Sequence, residues 1–239
     1  MFKQFTSMVF CLAASASTAM ADVSTHAFNI SIYGIPAGTM QVALAEENGN
    51  YIVDGIVRTT GLLSNVAKFD FTGRTIGAVS DGALVPSKYQ IKLERKKYDT
   101  EVLMTFADKT PTVEYYRPER DHRAEDIDPS KQKGVVDLIT ATYVIVGDAS
   151  AETLCNKRLQ MFDGRRRSQI FQTEPKFKGN TAICHGAYQR IAGFSPDDLE
   201  DGATFPFTSY YEKTDTGLYR LMRVSTKSTV GSATLYRRK

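Results

Sequence analysis

From Ala27 to Phe106 the chain alternates with a period of two. Met40, Val42 and Leu44 alternate with Thr39, Gln41 and Ala43; Phe69 and Phe71 with Lys68, Asp70 and Thr72; Tyr89, Ile91 and Leu93 with Lys88, Gln90, Lys92 and Glu94. Such a period turns one set of side chains to a core and the other to water, as antiparallel strands with one wet face require. Turn formers punctuate the runs at Gly34-Ile35-Pro36, Asn48-Gly49-Asn50, Asp81-Gly82 and Tyr98-Asp99. The pattern predicts a meander of strands at 27–33, 38–47, 50–59, 68–79, 84–96 and 100–107, interrupted at 61–67, where Leu62, Leu63 and Val66 suit a short helical turn.

Residues 117–133 break the rhythm with five bases, five acids and almost nothing apolar, the composition of a solvated loop. Next, Val135 to Val146 is apolar nearly all round. Its β-branched residues favour a strand, whereas its length, Asp137 as a start cap and Gly147 as a stop favour a helix. A helix apolar on every face must be enclosed, so the sheet is expected to curl around it. Strands return at 157–163, 166–174, 180–192, 205–213, 217–228 and 231–238, with turns at Asp163-Gly164, Lys178-Gly179-Asn180, Asp215-Thr216-Gly217 and Val230-Gly231. The fold class is all-β with one or two short helices: a long antiparallel meander curled into an open barrel or β-spiral around a helix. The 25 Phe and Tyr residues, without any Trp, supply the bulk to fill such an interior.

Residues 1–21 have the form of a cleavable signal peptide, with Lys3, a stretch of apolar and small residues from Ser7 to Ser17, and a small-x-small site at Ala19-Met20-Ala21. Cleavage after Ala21 leaves a single domain over 22–239 in the periplasm, with no segment long and apolar enough to span a bilayer. Phe10 before Cys11 disfavours lipid attachment at that cysteine. The mature formal charge is then +2, from 29 bases and 27 acids, too near neutral to suggest nucleic acid as a partner. Two cysteines remain, and in an oxidising compartment Cys155 and Cys184 are expected to bridge.

Several runs together resemble a known family: Asp137-Leu138-Ile139-Thr140-Ala141; Cys155; Phe162-Asp163-Gly164-Arg165-Arg166; and Cys184 followed by Tyr188-Gln189-Arg190-Ile191-Ala192-Gly193-Phe194. On these the chain, over roughly 27–238, resembles the proteobacterial periplasmic domain-of-unknown-function family 3108. The resemblance implies a long antiparallel sheet rolled around a helix, similar in outline to periplasmic lipoprotein-carrier barrels, and it brings no activity. The family tends to show Asp-Pro-Leu where this chain has Asp137-Leu138-Ile139, which removes a proline from the helix start.

The residues point away from catalysis. Gly193-Phe194-Ser195-Pro196-Asp197 is the nearest string to a hydrolase nucleophile elbow and lacks its second glycine. Cys184 beside His185 would point to the opposite strand face, and a bridge explains that cysteine better. His122 lies among carboxylates without the spacing of a metal cage, so neither metal nor cofactor is expected. The Arg165-Arg166-Arg167 run divides between two faces of a strand, with an Asp163–Arg pairing at the hairpin end, and Arg237-Arg238-Lys239 is expected to be a solvated terminus. Asp163, Gly164 and Arg165 are therefore candidates for a structural turn. Ile139, Tyr143 and Val146 are the interior positions, facing either a packed core or a ligand. Two functions follow: an exported non-enzymatic protein that supports envelope integrity by binding an envelope protein or lipid, and a carrier of an acyl or lipid-like ligand inside the barrel. A hydrolase is a distant third.

Overall fold

The computed structural model describes residues 22–61, 64, 68–228 and 231–238. The signal-peptide reading, Cys11, the greater part of the 61–67 turn with Leu62, Leu63 and Val66, Val230 and Lys239 lie outside the described residues.

Seven strands run first: β1 (Asp22–Ile32), β2 (Ile35–Glu47), β3 (Asn50–Thr59), β4 (Phe69–Ser80), β5 (Ala83–Arg95), β6 (Thr100–Ala107) and β7 (Thr110–Arg117). Then come a 3-10 turn (Pro129–Lys131) and helix α1 (Leu138–Val146). The second set is β8 (Arg158–Phe162), β9 (Arg167–Gln172), β10 (Lys176–Lys178), β11 (Thr181–Ala192), α2 (Pro196–Glu200), β12 (Thr204–Lys213), β13 (Tyr219–Ser228) and β14 (Gly231–Arg237). All belong to one antiparallel sheet in the order β7-β6-β5-β4-β3-β2-β1-β14-β13-β12-β11-β9-β8, with β10 paired to β11. Two meanders are thus stitched together where β1 meets β14, with Phe28 opposite Arg237 and Ile32 opposite Ala233. The alternating pattern does specify an all-β fold curled around a helix, as a nearly closed barrel.

Two departures from the sequence reading have local causes. Strand β7 lies beyond the strands that the pattern predicts, and it carries Pro111 at its second position, in Thr110-Pro111-Thr112-Val113. As the last strand of the sheet it tolerates a residue that cannot donate to a ladder. Helix α1 begins at Leu138 and not at Val135. Val136 is extended and forms a parallel bridge with Met161 of β8, so the β-branched part of this stretch does pair as a strand. The charged stretch before it is a largely exposed loop, as its composition implies, with Gln132 its one buried residue. Just past it, residues 134–136 join the β6–β7 turn to β8: Gly134 N–H donates to the Lys109 carbonyl at 2.8 Å, Val136 N–H to Gln160 at 2.9 Å, and Phe162 N–H to Val136 at 3.0 Å. The charged stretch itself stays at the surface. Its opposite charges neutralise one another locally, with Arg120 gripping Asp126 through both guanidinium nitrogens.

Inside the barrel, α1 packs on β2, β3, β4 and β8. Around it Phe28, Tyr51, Tyr89, Phe162 and Tyr211 are fully buried. The helix fits against the sheet at a dent made by Gly55 and Gly73, which are register partners on β3 and β4. A Cβ on Gly73 would stand 2.5 Å from Ile139 Cδ1 and 2.6 Å from Ile91 Cγ2. Gly73→Ala should therefore lower stability by about 1–3 kcal/mol, the usual cost of overpacking. Gly55→Ala, whose Cβ would meet Ile139 at 3.5 Å, should stay nearer wild type. Urea midpoints of the two variants check this, and equal midpoints would mean that Ile139 moves freely.

Candidate functional site

The turn between β8 and β9 begins where Phe162 pairs with Arg167. Asp163 Oδ1 accepts the N–H groups of Arg165 at 2.9 Å and Arg166 at 2.7 Å, a side chain closing its own turn. The expected Asp163–arginine pairing is thus corrected: the carboxylate holds backbone, since a short side chain at a turn start reaches the following N–H groups first. Burial pushes this carboxyl up, and the two N–H bonds and neighbouring arginines oppose that rise. Gly164 has φ +100°, and a Cβ there would lie 3.2 Å from both Tyr116 and Val102, so the turn sits directly on β6 and β7 across the seam.

Two runs of the resemblance, residues 162–166 and the one that ends at Gly193-Phe194, meet here. Gly193, at φ +82°, approaches so closely that a Cβ would stand 2.4 Å from the Arg165 carbonyl oxygen. Phe194 lies under the Arg166 guanidinium, 5.1 Å from ring centroid to Cζ. Arg165, Arg166 and Arg167 take separate partners, because the first two stand in the turn and not on a strand. Arg165 stacks on Tyr116 at 3.5 Å, Arg166 binds Asp198 at 3.1 Å, and Arg167 donates to Gln160 at 3.1 Å and Gln132 at 3.2 Å. Ser195, the nearest match to a nucleophile, caps α2. Its Oγ accepts the Asp198 N–H at 3.2 Å and donates to that carboxylate at 3.0 Å.

Around this turn the ends of β4, β5 and β6 open into a cleft of about 560 Å³. Its floor is apolar, with Phe69, Phe71, Ile91, Leu93 and Leu138, and five arginines (Arg95, Arg120, Arg123, Arg165 and Arg166) line it against two carboxylates, Glu125 and Asp163. Three of these cations meet carboxylates: Arg120 on Asp126, Arg123 with Glu125 at 3.8 Å, and Arg166 on Asp198. Arg95 and Arg165 meet none within 4 Å among the described residues and face aromatic rings instead, Arg95 lying 6.0 Å from the centroid of Phe69 and 5.7 Å from that of Tyr98. Phe69, Phe71 and Leu138 also wall a second, apolar slot of about 190 Å³ that continues along Met40, Val42, Val57 and Ile139.

The three interior candidates do not share one lumen. Ile139 and Val146 are 2 % and 3 % exposed and belong to the core, Ile139 at the inner wall of the slot and Val146 away from it. Tyr143 is half-buried at a different cleft, its hydroxyl on Ser24 Oγ and its ring 5.7 Å from that of His26. There His26 Nδ1 accepts from Arg237 Nη2 at 2.9 Å, which places the ring proton on Nε2. Burial, and then Arg237, depress the imidazole to about 4, against a smaller upward pull from Asp148. Arg237 is therefore no solvated terminus: its pairing through β14 to β1 brings the guanidinium over Phe28 and against His26. Because the folded value lies below 6.5, the stability tied to neutral His26 is present above pH 6.5 and is lost as the pH falls towards 4. The His26 ring resonances should stay at their neutral positions down to about pH 5 in an NMR titration, and a midpoint near 6.5 would show the ring to be solvated.

His122 lines a surface hollow with Asp126, Asp128 and Arg165, and no group of three His, Cys, Asp or Glu among the described residues has the arrangement of a metal cage. Cys155 and Cys184 are bridged, with Cα atoms 5.8 Å apart. The sequence offered no sign of Arg95 or Arg123 at the mouth, nor of Gly55, Gly73 or His26 in their roles, since strand register and closure of the sheet place them.

The family model described as "Protein of unknown function (DUF3108)" matches residues 27–236. No curated protein matches the sequence. Among solved structures, a beta-barrel-like protein of domain of unknown function DUF1849 from Brucella abortus is similar in fold, with a TM-score of 0.51 at 11% identity, covering 90% of this chain and 95% of that one.

Proposed function

The chain belongs to the DUF3108 family, and on that footing we propose that it is an exported, periplasmic, non-catalytic protein that supports envelope integrity by holding an envelope partner at the arginine-rimmed mouth. The observation that carries this reading is the pair Arg95 and Arg165, cations with no carboxylate within 4 Å among the described residues, set over an apolar floor in a concave site. Concave apolar surface with a few directed polar groups is what binding sites are made of. Export is supported by the form of residues 1–21 and by a buried disulfide, which suits an oxidising compartment. A binding role, as against a hydrolytic one, is supported by Ser195 being engaged as a helix cap and Cys184 being held in the bridge. The alternative of a carrier with its acyl ligand in the lumen has less support, because α1 and five large aromatic side chains fill that space.

A photo-crosslinking residue in place of Tyr98, exposed beside Arg95 at the rim, tests this in intact cells. The expected outcome is a discrete adduct from position 98 in the periplasmic fraction and none from Tyr236, exposed on β14. Equal adducts from both positions, or none from 98, would overturn it.

A further inference from the structure

The occupant of the mouth has a chemistry that the cleft and slot together specify. We infer that this site binds an amphiphile with one acyl chain and an anionic head, the head against Arg95 and Arg165 and the chain in the slot beyond Phe69 and Phe71. The inference rests on the mouth being the working surface.

The charge requirement comes from the rim. Arg95 and Arg165 each lie on an aromatic face with no carboxylate within 4 Å, so an anion would complete their pairing. A guanidinium presents a planar fork that matches carboxylate and phosphate oxygens. The tail requirement comes from Phe69, which belongs to cleft and slot alike and has Arg95 above its ring. A head bound at Arg95 therefore has its chain already at the slot's entrance. The slot walls are Met40, Val42, Val57, Phe71, Leu138 and Ile139, with no charged residue. At about 190 Å³ the slot is narrow enough to favour one chain over two. A bare anion would leave this apolar surface in water, and an uncharged lipid would leave Arg95 and Arg165 with only neutral partners, the Tyr98 hydroxyl at 3.3 Å and the Pro118 carbonyl at 3.4 Å.

The test uses delipidated mature protein and the fluorescent fatty acid cis-parinaric acid, whose emission rises on entering an apolar site; the protein has no Trp to interfere. Dodecanoate and dodecyl phosphate should displace the probe at concentrations at least about tenfold below dodecanol, the equivalent of one charge-assisted hydrogen bond. Inorganic phosphate alone should not displace it. Arg95→Gln and Arg165→Gln should each weaken dodecanoate about tenfold and leave dodecanol unchanged. Because Arg165 also packs on Tyr116, the exposed Arg95 variant decides if the other fails to fold. Met40→Trp, which narrows the slot, should weaken every chain-bearing competitor.

Dodecanol displacing as well as dodecanoate, unchanged dodecanoate affinity in Arg95→Gln, displacement by phosphate alone, or no probe binding would each overturn the inference. An adduct at position 98 without dodecanoate binding removes the amphiphile and leaves the mouth as a partner surface. Dodecanoate binding without an adduct does the opposite, leaving the ligand and removing the envelope partner.

Discussion

Asp137→Ala should lower the stability of the protein by roughly 3–5 kcal/mol, the range seen when a buried charged hydrogen-bonding group is removed from its partners. Asp137 is 0 % exposed. Its carboxylate accepts four hydrogen bonds: from Thr75 Oγ1 at 2.7 Å, Thr140 Oγ1 at 2.7 Å, and the N–H groups of Ile139 and Thr140 at 2.9 Å each. Tyr51 extends the network, its hydroxyl lying 3.1 Å from Thr140 Oγ1. Alanine would remove the cap of α1 and leave these buried donors without their acceptor. Asp137→Asn keeps one acceptor oxygen and should cost only about 1–2 kcal/mol. The pH dependence separates charge from shape. Burial raises the folded-state pKa of Asp137 above the ordinary 3.8, outweighing those hydrogen bonds. Stability from its protonation is then fully present below pH 3.8 and is lost as the pH rises through the folded value. Urea midpoints against pH should fall less steeply on that limb in Asp137→Asn than in wild type. Parallel profiles would show that the carboxylate titrates as it does in the unfolded chain.

Breaking the Cys155–Cys184 bridge should cost roughly 3–4 kcal/mol, from the chain-entropy value for a loop of this length. Cys155→Ser and Cys184→Ser should behave alike, and the double variant should be no worse than either. Thiol titration of the denatured, unreduced protein should find no free thiol. A double variant as stable as wild type would remove the bridge from the stability account. The two cysteines do not sit on neighbouring strands, because β9 lies between β8 and β11. Cys155 stands instead on left-handed backbone, φ 56°, in the connection before β8, and reaches the buried face of β11 from there. The bridge therefore anchors the β8–β9 hairpin that carries the Asp163 turn to the mouth. Its loss should loosen the rim while leaving the cleft's floor, built on β4 and β5, in place.

The strands were legible because their information is local. Alternation in Met40-Gln41-Val42 or Tyr89-Gln90-Ile91 needs nothing beyond the segment itself, and so does Asp137 three residues before Thr140. What escaped was set by pairing over distance. Pro111 argues against a strand until β7 is known to lie at an edge. Gly55 and Gly73 look like ordinary strand glycines until their register brings them together under Ile139. The mouth escaped for the same reason. Arg95 ends β5, Arg120 and Arg123 follow β7, and Arg165 occupies a turn, so only closure of the seam makes them neighbours. The sequence reading did find Asp163-Gly164-Arg165, whose turn geometry is written within four residues, but it could not show what that turn docks against.

The pairing of β1 with β14 has a consequence for how the chain folds. Phe28 and Arg237 are 209 residues apart in sequence, yet they lie side by side. Each meander forms from hairpins between sequence neighbours, whereas this one junction must await β14, about 200 residues later. Contacts of such long range are slow to form. Until β14 arrives, β1 presents an unpaired edge, a template for mispairing with another copy. A chain emerging N-terminus first thus carries this unpaired edge until β14 has been made, so shielding of β1 by a chaperone during that interval should raise the folding yield.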